Sequence, residues 1–331
     1  MTKFSILDLS PITQGSTPAD ALHNSLDLAK HAEQWGYERY WVAEHHNMKG
    51  IASAATSVVI GYIAGGTSSI RVGAGGIMLP NHSPLVIAEQ FGTLASLYPG
   101  RIDLGLGRAP GTDQITSQAL RRTLSGSSDD FPRDVVELQQ YLKKEESGQR
   151  VVAVPGAGTN VPLWILGSSL FGAQLAAILG LPFAFASHFA PAHMMQAISI
   201  YRERFEPSEQ QKEPYVMLGY NICAAETDDE AQYLRSSALQ AFLSLRHGFP
   251  IQLPPPIKNF GESMSGQDHA LISQINSCSA VGSFDTVKEG MARFIEQTGA
   301  NELMLVCAIY DHQKRVRSIE LAAEAGKEIA S

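Results

Sequence analysis

The 331-residue sequence predicts an α/β fold, a closed (β/α)8 barrel that forms a single domain over residues 1–331. Short β-branched runs alternate with longer amphipathic segments from end to end, and such alternation implies parallel strands. Eight strands, most of them followed by a helix, fit a closed barrel better than an open doubly wound sheet. The length is within the range of one large barrel, and the 44% of apolar residues can fill its core.

The elements follow one another in a regular order. The predicted strands are residues 4–7, 39–43, 70–75, 101–106, 163–167, 183–187, 216–224 and 303–307. The helical patterns between them include residues 19–35, 53–64, 84–98, 169–179 and 191–205. Pro18 and Pro84 stand just inside their helices, and Gly36, Gly180 and Gly299 stand where C-terminal caps belong.

Two connections are unusually long, and both are predicted insertions in the barrel. One covers residues 109–129 after the fourth strand, and the other covers about 246–279 after the seventh. The second contains three consecutive prolines and two glycines, which argues against another barrel unit. We expect it to be mobile without ligand and to cover the site in the working state, because barrel enzymes often use such loops as lids.

Composition excludes several classes of protein. The formal net charge is −8 and Lys and Arg do not cluster, so the signature of a nucleic-acid binder is missing. The longest apolar run, residues 58–64, is far too short to span a membrane, and the N-terminus reaches Asp8 before a signal-peptide core could form. Cys223, Cys278 and Cys307 are widely spaced, which fits a reducing cytoplasm rather than disulfides or a zinc site.

The carboxyl ends of the strands are where such a barrel places its chemistry. The sharpest candidate is Glu44-His45-His46, because two imidazoles after a buried strand need hydrogen bonds and a neighbouring carboxylate can fix a tautomer. His45 is then a general acid or base at the mouth of the barrel. The alternative is a polar pair in a loop, with one histidine bonded to backbone and the other solvated. His82 and His188 are available as further metal ligands, but no spacing requires a metal, and we expect none.

A second group of strand ends suits a phosphate and a flat ring. Gly167-Ser168-Ser169 follows a strand and opens a helix, so free backbone N–H groups and two hydroxyls could hold a phosphate monoester; the alternative is an ordinary serine N-cap. Arg108 could close on the same phosphate, or else pair with a carboxylate such as Asp113. Gly75 and Gly76 suggest close approach to a flat ligand or an unusual backbone, and otherwise a bulge. Together these features suit FMN or a related cofactor.

Several motifs resemble those of the bacterial luciferase-like flavin monooxygenases. They are YWVAEHHN at 40–47, the runs at 71–84, 88–90 and 98–108, and the segments 281–287 and 298–303. The resemblance covers nearly the whole chain except about 246–279. It implies a barrel of the same type that uses reduced FMN and O2 to oxygenate a small organic substrate, an enzyme acting on paired donors. A separate NAD(P)H:flavin reductase is an implied partner, and a homodimer the implied assembly.

Carried over by position, the resemblance assigns roles to single residues. His45 is the implied catalytic histidine, and Gly75-Gly76 falls at a non-prolyl cis peptide beneath the flavin ring. The implied phosphate site consists of Arg108, Ser168 and Ser169. Ser187, which follows the sixth strand, is a further candidate for binding the cofactor. Gly107 stands where luciferases have a reactive cysteine, and Ser168 replaces an acidic residue, which counts against light emission and a long-chain aldehyde. The alternatives are a reductase or dehydrogenase that uses F420, and a flavin-binding protein without turnover.

Overall fold

The computed structural model describes residues 1–109, 114–120 and 130–330. Its strands are β1 Lys3–Asp8, β2 Arg39–Val42, β3 Arg71–Met78, β4 Ile102–Gly107, β5 Leu163–Gly167, β6 Phe183–Phe185, β7 Val216–Ala224, β8 Ser279–Gly282 and β9 Glu302–Val306. Its α-helices are α1 Pro18–Trp35, α2 Thr56–Gly65, α3 Pro84–Leu97, α4 Gln114–Leu120, α5 Phe131–Leu142, α6 Leu170–Leu179, α7 Met194–Glu203, α8 Asp228–Arg246, α9 Gly266–Asn276, α10 Phe284–Thr298 and α11 His312–Ala330.

The strands close into the predicted barrel. β1 to β7 pair in sequence order, β7 then pairs with β9, and β9 returns to β1, with all pairs parallel. Each of the eight predicted strands is present, so the (β/α)8 prediction is confirmed. β8 is an addition that the sequence did not predict: it pairs with residues 221–224 of β7, outside the closed ring. Its four residues, SAVG, contain no β-branched run, and only the overhanging end of β7 makes them a strand.

The two long connections differ in content. After β7 the chain forms α8, an irregular segment with a single 3₁₀ turn at Phe260–Ser263, and then α9 before β8. After β4, α4 is described, but residues 110–113 and 121–129 lie outside the described residues. Most of the predicted insertion at 109–129 therefore lies there too, as does Asp113.

Local chemistry explains the helix ends. Thr17 accepts a hydrogen bond from the Asp20 backbone N–H (3.2 Å), and the Asp20 carboxylate accepts in return from the Thr17 N–H (2.8 Å), which starts α1. Gly36, Gly180 and Gly299 end their helices with φ of +85°, +60° and +59°, so these predicted caps are confirmed. In the described part of the chain, no helix combines the length and the apolar character needed to cross a membrane.

The barrel interior is filled by large side chains above a charged layer. Trp41 and Trp164 meet edge to face at 5.2 Å in this inner core. Below them, at the amino-terminal end, Arg39 bonds to Asp103 (2.6 Å) and to Glu302 (2.7 Å), and its guanidinium lies 4.8 Å from the Trp164 ring. All three charged side chains are at most 7% exposed, so this end of the barrel is closed.

Candidate active site

The strand register brings the predicted site residues to one rim. Asp8 is level with Val42, Val42 with Ala74, and Met78 with Gly107. Gly107 is level with Leu166, and Gly167 with Phe185. Because all these pairs are parallel, the residues that follow β2, β3, β4, β5 and β6 surround a single mouth.

Glu44 connects the loops that follow β2 and β3. It is 1% exposed and accepts hydrogen bonds from His46 Nε2 (2.8 Å), from His82 Nε2 (2.9 Å) and from the Met78 backbone N–H (3.0 Å). Burial raises the pKa of Glu44, but these hydrogen bonds outweigh burial and keep that pKa below its ordinary value. Glu44 is therefore a charged carboxylate whose oxygens are occupied by hydrogen bonds. It holds two loops together and has a structural role.

The two adjacent histidines have different surroundings. His46 bonds to the Glu44 carboxylate at 2.8 Å and its side chain is 17% exposed, so a carboxylate is among its partners. His45 is half-buried and lies near His188, also half-buried. Burial, and then the charge of His45, lower the pKa of His188 to about 4, which keeps that imidazole neutral at pH 7. Two imidazoles thus share the mouth, and the sequence had offered His188 only as a metal ligand.

The glycines at the end of β3 are required by their neighbours. The Gly75–Gly76 peptide bond is cis, and the register with β4 shifts between Gly75 and Ile77. A Cβ on Gly76 would lie 2.6 Å from the Gly105 carbonyl oxygen, and one on Gly75 would lie 2.7 Å from Leu7 Cδ1. An unusual backbone and a bulge therefore occur together. That these glycines face a flavin ring stays a prediction.

Arg108 and the start of α6 come together on one side of the rim. The Arg108 guanidinium carbon is 4.3 Å from the ring centroid of Phe171, in the first turn of α6. Ser168 and Ser169 are exposed, and Ser169 occupies the N-cap position with extended backbone but makes no capping hydrogen bond with its side chain. The hydroxyl of Ser169 and the N–H groups of this turn are thus available to an anion, as the predicted phosphate site requires.

Ser187 lies deeper than the other predicted residues. It is fully buried, and its hydroxyl donates to the Gly219 carbonyl oxygen at 2.7 Å. Its contact with a cofactor stays a prediction, and its hydroxyl hydrogen is already used in joining the segment after β6 to the middle of β7. As for metals, the described residues contain no group of three or more His, Cys, Asp or Glu side chains that could hold an ion.

Two cavities lie near the ends of β1, β7 and β9. The larger, about 190 Å³, lies between the ends of β1 and β9 and is bordered by Met48, Ile51 and Leu245 among others. The smaller, about 120 Å³, is bordered by His188, Asn221 and Arg235 among others. Phe242, Val306 and Ala308 form a wall common to both.

A short strap, residues 250–253, contributes to the larger cavity from outside the barrel. The Leu253 N–H donates to the Ile12 carbonyl oxygen (2.9 Å), and its carbonyl accepts from the Gln14 N–H (2.8 Å). The strap is thus fastened to the loop after β1. The strap lies within the insertion at about 246–279, which the sequence predicts to be mobile. Because the strap is held by these hydrogen bonds, the prediction of mobility now applies to the exposed residues that follow it.

Sequence reasoning missed Arg235 and the role of His82. His82 stands in a polar run, Asn81-His82-Ser83, directly after a strand end, and that position was the available signal. Arg235 lies in the middle of α8, where an arginine usually indicates a solvated helix face. Nothing local in the sequence marks it as part of a cavity.

A parallel barrel with a closed lower end, an arginine beside an uncapped helix turn and two imidazoles at its mouth defines a class of enzyme-like (β/α)8 proteins. Residues 2–302 match the family model described as luciferase-like monooxygenase. The chain belongs to this family of monooxygenases.

Individual relatives agree with this assignment. The chain is 54% identical over 326 residues to a protein named luciferase-like monooxygenase from Escherichia coli (strain K12), covering 98% of this chain and 97% of the relative. It is 41% identical over 190 residues to N-acetyl-S-alkylcysteine monooxygenase from Bacillus subtilis (strain 168), covering 56% and 57%. The crystal structure of apo-MsnO8 superposes with a TM-score of 0.88 at 36% identity over 99% of both chains.

Proposed function

We propose that the protein is a flavin-dependent monooxygenase that uses reduced FMN and O2 to oxygenate a small organic substrate. The observation that carries the proposal is the convergence of Arg108 with the first turn of α6, 4.3 Å from the Phe171 ring centroid. A fork of N–H donors, an open helix end and two exposed serine hydroxyls form a set that suits a phosphate monoester.

The remaining parts of the rim have roles that follow from their chemistry. Reduced FMN, when bound, supplies the electrons with which O2 is activated. His45, at the mouth, is placed to hold or move a proton at an imidazole nitrogen, and imidazoles titrate near neutral pH. The strap and the common wall of Phe242, Val306 and Ala308 border the two cavities beside the mouth, and these apolar groups would keep water from an organic substrate bound there.

The proposal includes the setting in which the enzyme works. A separate NAD(P)H:flavin reductase is the proposed source of reduced FMN, and a homodimer is the proposed assembly. Cys223, Cys278 and Cys307 are free and buried, which supports the expected cytoplasmic location.

The test is the spectrum of the anaerobically reduced FMN complex after O2 is admitted, compared with free reduced FMN. We expect the complex to pass through absorbance that matches neither oxidised nor reduced FMN, because the site shields the reaction from water. Direct return to oxidised FMN, at the rate of the free cofactor, would contradict the monooxygenase proposal. Tight binding of F420 without binding of FMN would favour an F420-dependent reductase. Slow reoxidation with no oxidation of any organic substrate would favour a flavin-binding protein without turnover.

A further inference from the structure

The larger of the two cavities has a mainly apolar border. It measures about 190 Å³, and the side chains around it include Leu7, Met48, Ile51, Leu245 and Leu253. An apolar cavity of about 150 Å³ inside a protein holds one benzene molecule. The larger cavity therefore has room for about one six-membered ring or a chain of about six carbons. Displacement of water by such a molecule is favourable, because it removes apolar surface of both partners from solvent.

The charges beside this cavity are balanced within the fold. Among the described residues that border it, only Asp8 and Arg315 carry charge, and they bond to each other at 2.7 Å. Asp8 also accepts from the Ser10 backbone N–H (2.9 Å), and Arg315 also donates to the Cys307 carbonyl oxygen (2.9 Å). Burial raises the pKa of the Cys307 thiol, which is therefore uncharged at pH 7. An ionic ligand would lose its hydration here and find both charges already paired.

The backbone of the enclosing segments is also occupied. The Gly50 carbonyl oxygen, in the loop after β2, accepts from the Ile12 N–H at 2.9 Å. In the strap, the Leu253 N–H and carbonyl both bond to the loop after β1, as described above. The third side of the enclosure consists of side chains of α8, Phe242 among them. The cavity thus presents mainly side-chain carbon to a ligand.

Leu7 connects the cavity to the place where the flavin ring is proposed to lie. It borders the cavity, and a Cβ on Gly75 would lie 2.7 Å from Leu7 Cδ1. A substrate has to lie close to the ring to react, and only this one side chain separates the cavity from Gly75. We propose that the larger cavity binds an uncharged, apolar organic molecule of about six carbons, and that this molecule is the substrate. This inference deepens the proposed function and rests on it.

The first experiment measures binding of hexan-1-ol, hexanoate and hexylammonium to the full chain without flavin, by calorimetry at pH 7. The three probes share a six-carbon body and differ in charge. We expect hexan-1-ol to bind at least about tenfold more tightly than either ion, because neither ion finds a free partner in the cavity. From butan-1-ol to hexan-1-ol the affinity should rise by about fourfold for each CH2 group. An ion that binds as tightly as hexan-1-ol, or equal affinities for the two alcohols, would overturn the inference.

Two variants of α8 then locate the bound alcohol. Ala241 borders the larger cavity, and Ala241→Phe should weaken hexan-1-ol by about tenfold or more, because the added ring occupies the space of the ligand. Ala238, one turn earlier and also half-buried, borders only the smaller cavity. Ala238→Phe is therefore the matched control and should leave the affinity within about twofold. The same loss in both variants, or no loss in Ala241→Phe, would contradict the assignment. Circular dichroism first establishes that each variant folds.

If Ala241→Phe does not fold, methionine methyl groups report the site in the unmodified chain. Met48 borders the larger cavity, whereas Met195 on α7 is 51% exposed and serves as the control. Bound hexan-1-ol should shift the NMR resonance of the Met48 methyl group and leave that of Met195 unmoved. A Met48 resonance that bound hexan-1-ol does not shift would place the alcohol elsewhere and overturn the inference.

The last experiment repeats the hexan-1-ol titration in the presence of saturating oxidised FMN. We expect the affinity to stay within about threefold, because a substrate site has to remain open when the cofactor is bound. Displacement of hexan-1-ol by FMN would show that the cavity holds the flavin ring, and the inference would be wrong. Failure of FMN to bind would contradict the proposed function and with it the role of the ligand as substrate. The titrations without flavin test the cavity alone, so the two failures are distinguishable.

Discussion

At the lower end of the barrel Arg39 is held between Asp103 and Glu302, whereas at the mouth Arg108 lies against the aromatic ring of Phe171. Both arginines lie at the ends of strands. The lower cluster satisfies its charges internally, and so it can contribute to stability but has no capacity left for a ligand. Arg108 keeps N–H donors that no carboxylate among the described residues occupies. The comparison is therefore between an arginine whose charge is balanced within the fold and one whose donors remain open to a ligand.

The largest effect should come from breaking the paired end. Arg39→Met leaves Glu302 buried without its cation, and we expect the free energy of unfolding in urea to fall by about 3–5 kcal/mol. Lys3→Met, which removes an exposed ion pair with Glu38 at the same end, is the matched control and should cost far less. Similar losses for both variants would show that burial does not distinguish these pairs.

At the mouth the corresponding change should affect chemistry rather than folding. His45→Ala should lower turnover by about 100-fold or more, the usual effect of losing a positioned acid or base, with flavin affinity within a few-fold of wild type. His46→Ala should cost less activity and more stability, because it removes a donor to the buried Glu44 carboxylate. Steady-state rates and melting temperatures of both variants provide the check. A normal rate for His45→Ala with an inactive His46→Ala would reverse the two roles.

Arg108→Ala sharpens the comparison by testing an arginine that has no structural carboxylate among the described residues. It should weaken FMN by about 1.5–3 kcal/mol and riboflavin much less, since only FMN carries the phosphate. Fluorescence quenching measures both affinities, and Arg150→Ala, at an exposed position, is the control. If both flavins lost affinity equally, Arg108 would contact some other part of the cofactor or act only on the fold.

The Glu44 network predicts how stability depends on pH. Because the pKa of Glu44 is lowered in the folded state, its contribution is present above the unfolded value of about 4.5 and is lost as pH falls below it. The melting temperature should therefore drop between pH 5 and pH 3 less steeply in Glu44→Gln than in wild type. Parallel profiles for the two proteins would show that the carboxylate titrates alike in the folded and unfolded states.

The smallest effect concerns the segment beyond the strap. Residues 258–265 are largely exposed, whereas the strap is hydrogen-bonded to the loop after β1. Limited proteolysis should cut first in 258–265, and FMN together with substrate should slow the cutting. Cutting that ligands leave unchanged would make this segment a spacer or an oligomer contact.

The sequence by itself determined the barrel and most of its rim. Alternating strand and helix patterns are local, with a turn or cap every few residues, and so the eight ring strands and the caps at Gly36, Gly180 and Gly299 could be predicted. The rule that parallel strands expose their carboxyl ends together then selected His45, Arg108 and the turn before α6 as neighbours.

Only the tertiary structure decided which polar groups meet. Glu44 bonds to His82 across 38 positions of chain, and β8 becomes a strand only because β7 extends beyond the ring. Arg235 looks like a surface residue of α8 until the cavity beside His188 is seen. Such contacts join distant segments whose packing is settled by the closed barrel as a whole, and no pattern within one segment records them. Local periodicity therefore specified the elements, while burial and charge pairing between elements specified the site.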